Sequence, residues 1–309
     1  MRQRLVLVTI FSVMVASSGC ENNFNPIGSY QKQLVVYGIL SNRSDSQFVR
    51  VYTTYNLYAE PASDAGVRGA RVTMTVDSTT YSFTETTIPR DDTTRYSSAI
   101  VAYLKFPWNL RTGKTYSITV SSDQGTATAK VSVPGNGYIY NYTPGVLEAP
   151  RLAEDDIPVT IGLAPQTLGY MLRMFINFET WSGEDSAHTV HRRFEVPIVG
   201  DSLMTPGRIA YPTLLRRTFA GFDVIIPHDA YFGVYKMLIE APYKKHFKLT
   251  SATFVLTQVE SNLYNYYNVV NGFRDPYSIR MDQPDFTNIV GGVGLFGALV
   301  EDSLVVKLQ

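Results

Sequence analysis

Several short segments have residue types and spacings that could do chemistry. Gly292-Val293-Gly294-Leu295-Phe296-Gly297 matches the GxGxxG pattern of dinucleotide-binding loops. That loop works between a strand and a helix, with an acidic residue about 20 positions further on. The short remainder of the chain after Gly297 reads as a strand, so the glycines are expected to form a tight turn with close backbone approach. His188-Thr189-Val190-His191 could bring two imidazoles together. On a strand, however, positions three apart face opposite sides, and no third ligand is evident. Glu154-Asp155-Asp156 is a carboxylate cluster without the spaced ligands and glycine of a calcium loop, and it reads as a solvated charge run. His246, beside Lys244 and Lys245, reads as the wet entry to a strand. No metal or cofactor is expected from these residues.

Cys20 is the single cysteine of the chain. One cysteine excludes an intramolecular disulfide and a zinc site built from several cysteines. Its setting gives it a different role. Arg2 and Arg4 precede an apolar run over residues 5–16, and the small residues Ser17-Ser18-Gly19 follow. This is the anatomy of a secretory signal peptide. The run is shorter than the roughly 20 residues that span a bilayer. Ser17-Ser18-Gly19-Cys20 has the form of a bacterial lipobox, with Ser where Leu is usual. In such a box cleavage precedes the cysteine, which is then acylated with chains such as palmitate. Each buried methylene contributes about 0.8 kcal/mol, and two or more chains anchor stably. Lipidation at Cys20 is therefore expected to hold the mature chain to a membrane.

Gly200-Asp201-Ser202-Leu203 spells the nucleophile motif of GDSL-type esterases and follows a strand-like segment, 194–199. A nucleophilic serine needs a base and an orienting acid. Those enzymes take them from a downstream DxxH motif. Here the only DxxH, Asp185-Ser186-Ala187-His188, lies upstream, and Pro206, Gly207 and Pro212 interrupt the helix that should follow. The segment reads as a turn, and no catalytic residue is assigned.

The elements that must position these groups are mostly strands. The 309 residues carry 27 Lys+Arg against 27 Asp+Glu, and only 17% of residues are charged. Neutral balance without a basic run argues against nucleic acid as the main partner. The 45% apolar content argues against disorder. Tyr and Phe, 21 and 16 of them, suit pleated surfaces, or alternatively an exposed aromatic binding face.

Leu34-Val35-Val36-Tyr37-Gly38-Ile39-Leu40 is an apolar run suited to a buried strand, and residues 70–76 and 116–120 alternate with period two. Strand-like segments at 48–53 and 126–133 complete a series that predicts an immunoglobulin-like β-sandwich over 34–134. Residues 135–146, rich in Gly and Pro, predict a linker. A second β-sandwich-like domain is expected over 147–309, with strands at 157–163, 168–181, 194–199, 222–226, 234–240, 247–257 and 302–308. One amphipathic helix is expected at 258–271, where Val259, Leu263, Tyr266, Tyr267 and Val270 recur at three- and four-residue spacing. Its Tyr264, Tyr266 and Tyr267 are either core staples or a surface patch. Residues 1–19 are then the signal peptide and 20–33 a polar tether.

Together, Cys20, the 34–40 run, Gly69-Ala70-Arg71-Val72, Leu110-Arg111-Thr112-Gly113-Lys114-Thr115-Tyr116 and the segment from Thr287 through Gly291-Gly292-Val293-Gly294 to Ala298 make the chain similar to a known family. It resembles the lipoproteins of Bacteroidetes-type bacteria classed as domain of unknown function four-two-four-nine. The resemblance implies a cell-envelope lipoprotein, anchored at the outer membrane and often encoded beside a TonB-dependent outer-membrane receptor. It carries over no catalytic residue, only Cys20. The expectation is a non-enzymatic binding or accessory partner, with aromatic-rich surfaces as candidates for contact; Trp108 and Trp181 stand near turns that suit contact, with burial an equal alternative for each. A structural or adhesive spacer and a serine esterase stand as alternatives. Glu21 is acidic but Asn22 and Asn23 are not, so the side of the outer membrane is left open.

Overall fold

Alternation of buried and exposed side chains builds the first strand. Leu34, Val36 and Leu40 are buried while Tyr37 and Ile39 face the other side, giving strand β1 (Leu34–Ser41). The computed structural model describes residues 31–54, 66–89, 99–140, 156–181, 189–196, 214–240, 246–271 and 286–307. Within them the chain from Gln33 onward forms one compact unit. It is mainly β and sandwich-like.

The remaining strands of the first half are β2 (Gln47–Thr53), β3 (Arg71–Val76), β4 (Thr79–Ser82), β5 (Thr84–Pro89), β6 (Ala99–Lys105), β7 (Thr115–Ser122), β8 (Gly125–Ser132) and β9 (Tyr138–Tyr140). The second half contributes β10 (Ile157–Gly162), β11 (Gly169–Thr180), β12 (Val190–Val196), β13 (Leu215–Arg216), β14 (Gly221–Ile226), helix α1 (His228–Glu240), β15 (Phe247–Val259), helix α2 (Ser261–Asn271) and β16 (Val293–Lys307).

One large sheet has the order β12-β11-β15-β16-β1-β2-β6-β5, with β13 added on β11. Two small sheets accompany it, β4-β3-β7-β8 and β14-β10-β9. Along β16, Phe296, Ala298 and Val300 enter a core shared with Val36, Val51, Val72 and Ile118. Val306 and, partly buried, Leu304 continue the same alternation into a second core with Met174, Phe254, Ile161 and Tyr231. One strand thus serves both cores. A boundary at 134–147 therefore does not divide the sheet, because β16 from the end of the chain pairs in parallel with β1 from its start. The expected linker begins as structure: Tyr138–Tyr140 is β9 and pairs with β10. Residues 141–146 lie outside the described residues.

Two expectations are corrected. Residues 234–240 are not a strand but the second half of α1. Tyr231, Val234 and Leu238 are buried at helical spacing, and the Asp156 carboxylate accepts the His228 backbone N–H at the helix start, 2.8 Å away. The segment read alone was too short to separate a period of two from one of 3.6.

The glycine segment is likewise not a simple turn before a strand at 302–308. Only Gly291 and Gly292 turn, and Gly294 and Gly297 lie inside β16. The expected close approach is present. A Cβ on Gly292 would lie 2.5 Å from the Leu34 carbonyl oxygen, and one on Gly294 would overlap that of Val36. Gly297 leaves room for Leu263 of α2, whose Cβ would be 3.1 Å away. The three glycines of GxGxxG thus seat a parallel strand and a helix, with the dinucleotide context missing.

The helix expected at 258–271 is α2, starting at Ser261 because residues 258 and 259 finish β15. Leu263 is fully buried with Leu295 and Val259, and Tyr264 and Tyr266 pack partly buried around them. Tyr267 is 44% exposed, so the tyrosines divide between core and surface. No helix among the described residues is long and apolar enough to cross a membrane.

Candidate binding surface

The outer face of the β14-β10-β9 sheet gathers exposed aromatic and apolar groups. Strand alternation sends Ile139 toward the second core and turns Tyr138 and Tyr140 outward, 58% and 69% exposed. Register places Tyr138 opposite Gly162, which faces Gly221 on the next strand. The Tyr138 ring lies across this glycine floor: a Cβ on Gly162 would overlap the ring, and one on Gly221 would sit 3.6 Å from the phenol oxygen. A side chain at Gly162 would lift the ring, whereas one at Gly221 would only touch it. Tyr140 stands opposite Thr160 and, beyond it, Asp223, where the Thr160 hydroxyl donates to the Asp223 carboxylate at 2.5 Å. Ile225, half exposed, extends the apolar part. Flat aromatic faces next to a carboxylate suit stacking on a sugar ring or an apolar side chain, with hydroxyl or amide donors satisfied by the acid.

The edge of this surface is fixed by a buried polar seam between the two cores. Gln258 is fully buried on β15. Its Oε1 accepts from the Ala164 N–H at 2.8 Å and the Thr167 hydroxyl at 2.9 Å. Its Nε2 donates to the Gly135 carbonyl and to Asp302 Oδ2. Asp302 also accepts the Gly137 N–H at 2.8 Å, so the chain entering β9 is held at both glycines. Burial raises the Asp302 carboxyl above its ordinary value, opposed by these hydrogen bonds. Gly137 has no alternative here, since a Cβ would lie 2.5 Å from Gln258 Nε2.

A cavity of about 300 Å³ is lined by Lys130, Ser132, Gln166, Glu260 and Asn262. Glu260 is buried and caps α2, accepting the N–H groups of Asn262 and Leu263 at 2.7 and 2.8 Å. Burial pushes its carboxyl upward, again against the pull of those donors. The carboxylate is thus occupied as a cap.

The residues singled out in the sequence are mostly not brought together. Trp108 is buried against Tyr81, Phe83 and Tyr116, so it belongs to the core and not to a contact surface. Trp181 is half-buried, edge-on to His246 with ring centroids 6.1 Å apart. His191, on β12, lies 3.3 Å from the Glu179 carboxylate. Asp156 holds the start of α1. Cys20, Glu154, Asp155, Asp185, His188 and Gly200 to Leu203 lie outside the described residues. No group of three His, Cys, Asp or Glu suited to a metal ion occurs among the described residues. Sequence reading missed Tyr138 and Tyr140 because both fell in the expected linker. The alternation Tyr-Ile-Tyr was the available signal.

A model of the family described as Domain of unknown function (DUF4249) matches residues 21–168. The match takes in β1 to β10 and ends before the Thr287–Ala298 segment on which part of the resemblance rests. No curated protein matches. Among solved structures, the C-terminal globular domain of an oligosaccharyltransferase from Pyrococcus abyssi is 10% identical, with a TM-score of 0.24. The alignment covers 72% of this chain and 48% of that one, so this chain spans about half its length.

Proposed function

We propose that this protein is a cell-envelope lipoprotein of the Bacteroidetes-type kind, held at the outer membrane through Cys20. In this reading it acts without catalysis, as a binding or accessory partner of a TonB-dependent outer-membrane transporter. The observation that carries the binding role is the outward pair Tyr138 and Tyr140, one ring laid on a glycine floor and both carried by a three-stranded sheet. Aromatic anchors that are ordered before contact lose little conformational entropy on binding. The family match over residues 21–168 and the signal-like residues before Cys20 support the envelope setting.

The experiment is a pull-down of the full chain from solubilised outer membranes. A stoichiometric β-barrel partner supports the accessory role, and recovery without one supports a spacer. Tyr138→Ala and Tyr140→Ala are each expected to weaken partner recovery, about 30-fold in affinity for a loss of about 2 kcal/mol per anchor. Unchanged recovery in both variants would remove this surface from the contact. Cys20→Ala is expected to abolish labelling by a fatty-acid probe and to shift the protein out of the membrane fraction. Equal labelling of wild type and variant would end the anchoring role.

A further inference from the structure

The opposite face of the large sheet carries a different site, independent of the tyrosine surface. Register aligns Arg193 of β12, Asn177 of β11, Ser251 of β15 and Lys307 of β16 in one row across four strands. Paired residues on neighbouring strands point to the same side. The adjoining row holds Glu195, Phe175, Thr253 and Val305.

Three features of this patch favour an anion. The Arg193 guanidinium lies over the Phe175 ring, its Cζ 3.4 Å from the ring centroid, and that ring is buried. Stacking occupies the flat face of the guanidinium and leaves its N–H edges directed outward.

Second, the nearby carboxylates are committed elsewhere. Glu195 is taken by Arg173 in a two-point pair at 2.6 and 2.7 Å. Glu301 is taken by Arg43 at 2.8 Å and by the Thr257 hydroxyl. No carboxylate among the described residues lies within ion-pair distance of Arg193. Burial, and then the like charges of Arg173 and Arg43, lower its affinity for its own proton, offset in part by Glu195 and Glu301. An incoming anion would relieve that repulsion.

Third, the Asn177 side-chain amide donates to both the Ser251 and the Thr253 hydroxyl oxygens, at 2.9 and 2.7 Å. Each hydroxyl therefore has its own proton to give. The patch presents donors: a guanidinium fork, two hydroxyls and, at the far end of the row, an ammonium.

We propose that this row is a binding site for a phosphate or carboxylate group, gripped by Arg193 in a two-point contact and by the Ser251 and Thr253 hydroxyls. A planar fork matches both oxyanions, so the shared chemistry is a bidentate oxyanion. A phosphorylated glycan and a uronic-acid glycan are its two sources.

The test is a titration of the full chain with inorganic phosphate and, separately, with a short oligogalacturonate, followed by amide chemical shifts of Ser251 and Thr253. Saturable shifts at these residues are expected with at least one probe, and the probe that gives the tighter curve identifies the source. Arg193→Ala should weaken that curve at least tenfold, and Arg193→Lys should restore charge without the fork and recover only part of it. Arg71→Ala, an exposed arginine of β3 in a different sheet, should leave it unchanged. No saturable shift with either probe, or equal weakening by Arg193→Ala and Arg71→Ala, would overturn the proposal. Circular dichroism melts of each variant separate loss of the site from loss of the fold.

Discussion

Replacing Gly294 by alanine is expected to lower the stability of the fold by about 3 kcal/mol, a large effect for a single added methyl. Two causes add. Gly294 has φ +121°, a conformation that L side chains rarely adopt. A Cβ there would also overlap the Val36 carbonyl oxygen, a backbone atom of the paired strand that cannot rotate away. Relief would need β1 and β16 to part, and these strands run in parallel register over seven residue pairs. Phe296, Ala298 and Val300 lie downstream on β16 and fill the first core, so any shift would cost packing as well. Denaturant unfolding of Gly294→Ala against wild type measures the loss. A change below about 1 kcal/mol would show that the β1–β16 pair yields more easily than tight backbone packing allows. Gly233→Ala in α1 is the control, because nothing lies within 4 Å of a Cβ there and helix propensity favours alanine.

The second large effect is expected at Gln258. Truncation to alanine leaves the Ala164 N–H and the Thr167 hydroxyl without their acceptor and removes a donor from Gly135 and Asp302. Buried groups stripped of a partner cost about 1–3 kcal/mol each, so a loss of about 3 kcal/mol is expected in a denaturant melt. The charge-changing variant separates polarity from shape. Gln258→Glu keeps an acceptor for Ala164 and Thr167 but sets a second carboxyl against Asp302, whose own proton affinity burial has already raised.

Both carboxyls would then hold protons more tightly folded than unfolded. Their stabilising contribution would be present in acid and lost as pH rises through the raised values. Gln258→Glu is therefore expected to approach wild-type stability near pH 4 and to fall behind it toward pH 7. A gap that does not vary with pH would show that Asp302 does not sense the new charge. Because the seam also holds Gly135 and Gly137, Gln258→Ala is expected to loosen the chain entering β9 and, through it, Tyr138.

How much was legible follows from which forces are local. The continuous apolar run at 34–40 and the alternation at 70–76 and 116–120 named β1, β3 and β7 correctly, because strand burial leaves its pattern along the chain itself. The spacing of Leu263 and Tyr266 likewise located α2. The segment 234–240 was read as strand because its helical partners, Tyr231 and the capping Asp156, lie outside it, one of them more than seventy residues away. Of the two readings open for Trp108, contact and burial, burial is the one found: three rings drawn from β4, β7 and the residue between β4 and β5 enclose it. Tyr138 and Tyr140 were hidden in a stretch whose Gly and Pro content suggested a linker.

The sequence by itself determined the mainly β class, the zero net charge and the single cysteine, since composition and short-range periodicity carry these. The parallel pairing of β16 with β1, the sharing of one strand between two cores, the glycine floor beneath Tyr138 and the Arg193 row were decided only by the tertiary structure. Each depends on register between strands far apart in the chain, and register is set by which faces find a common core, a condition that no local pattern records.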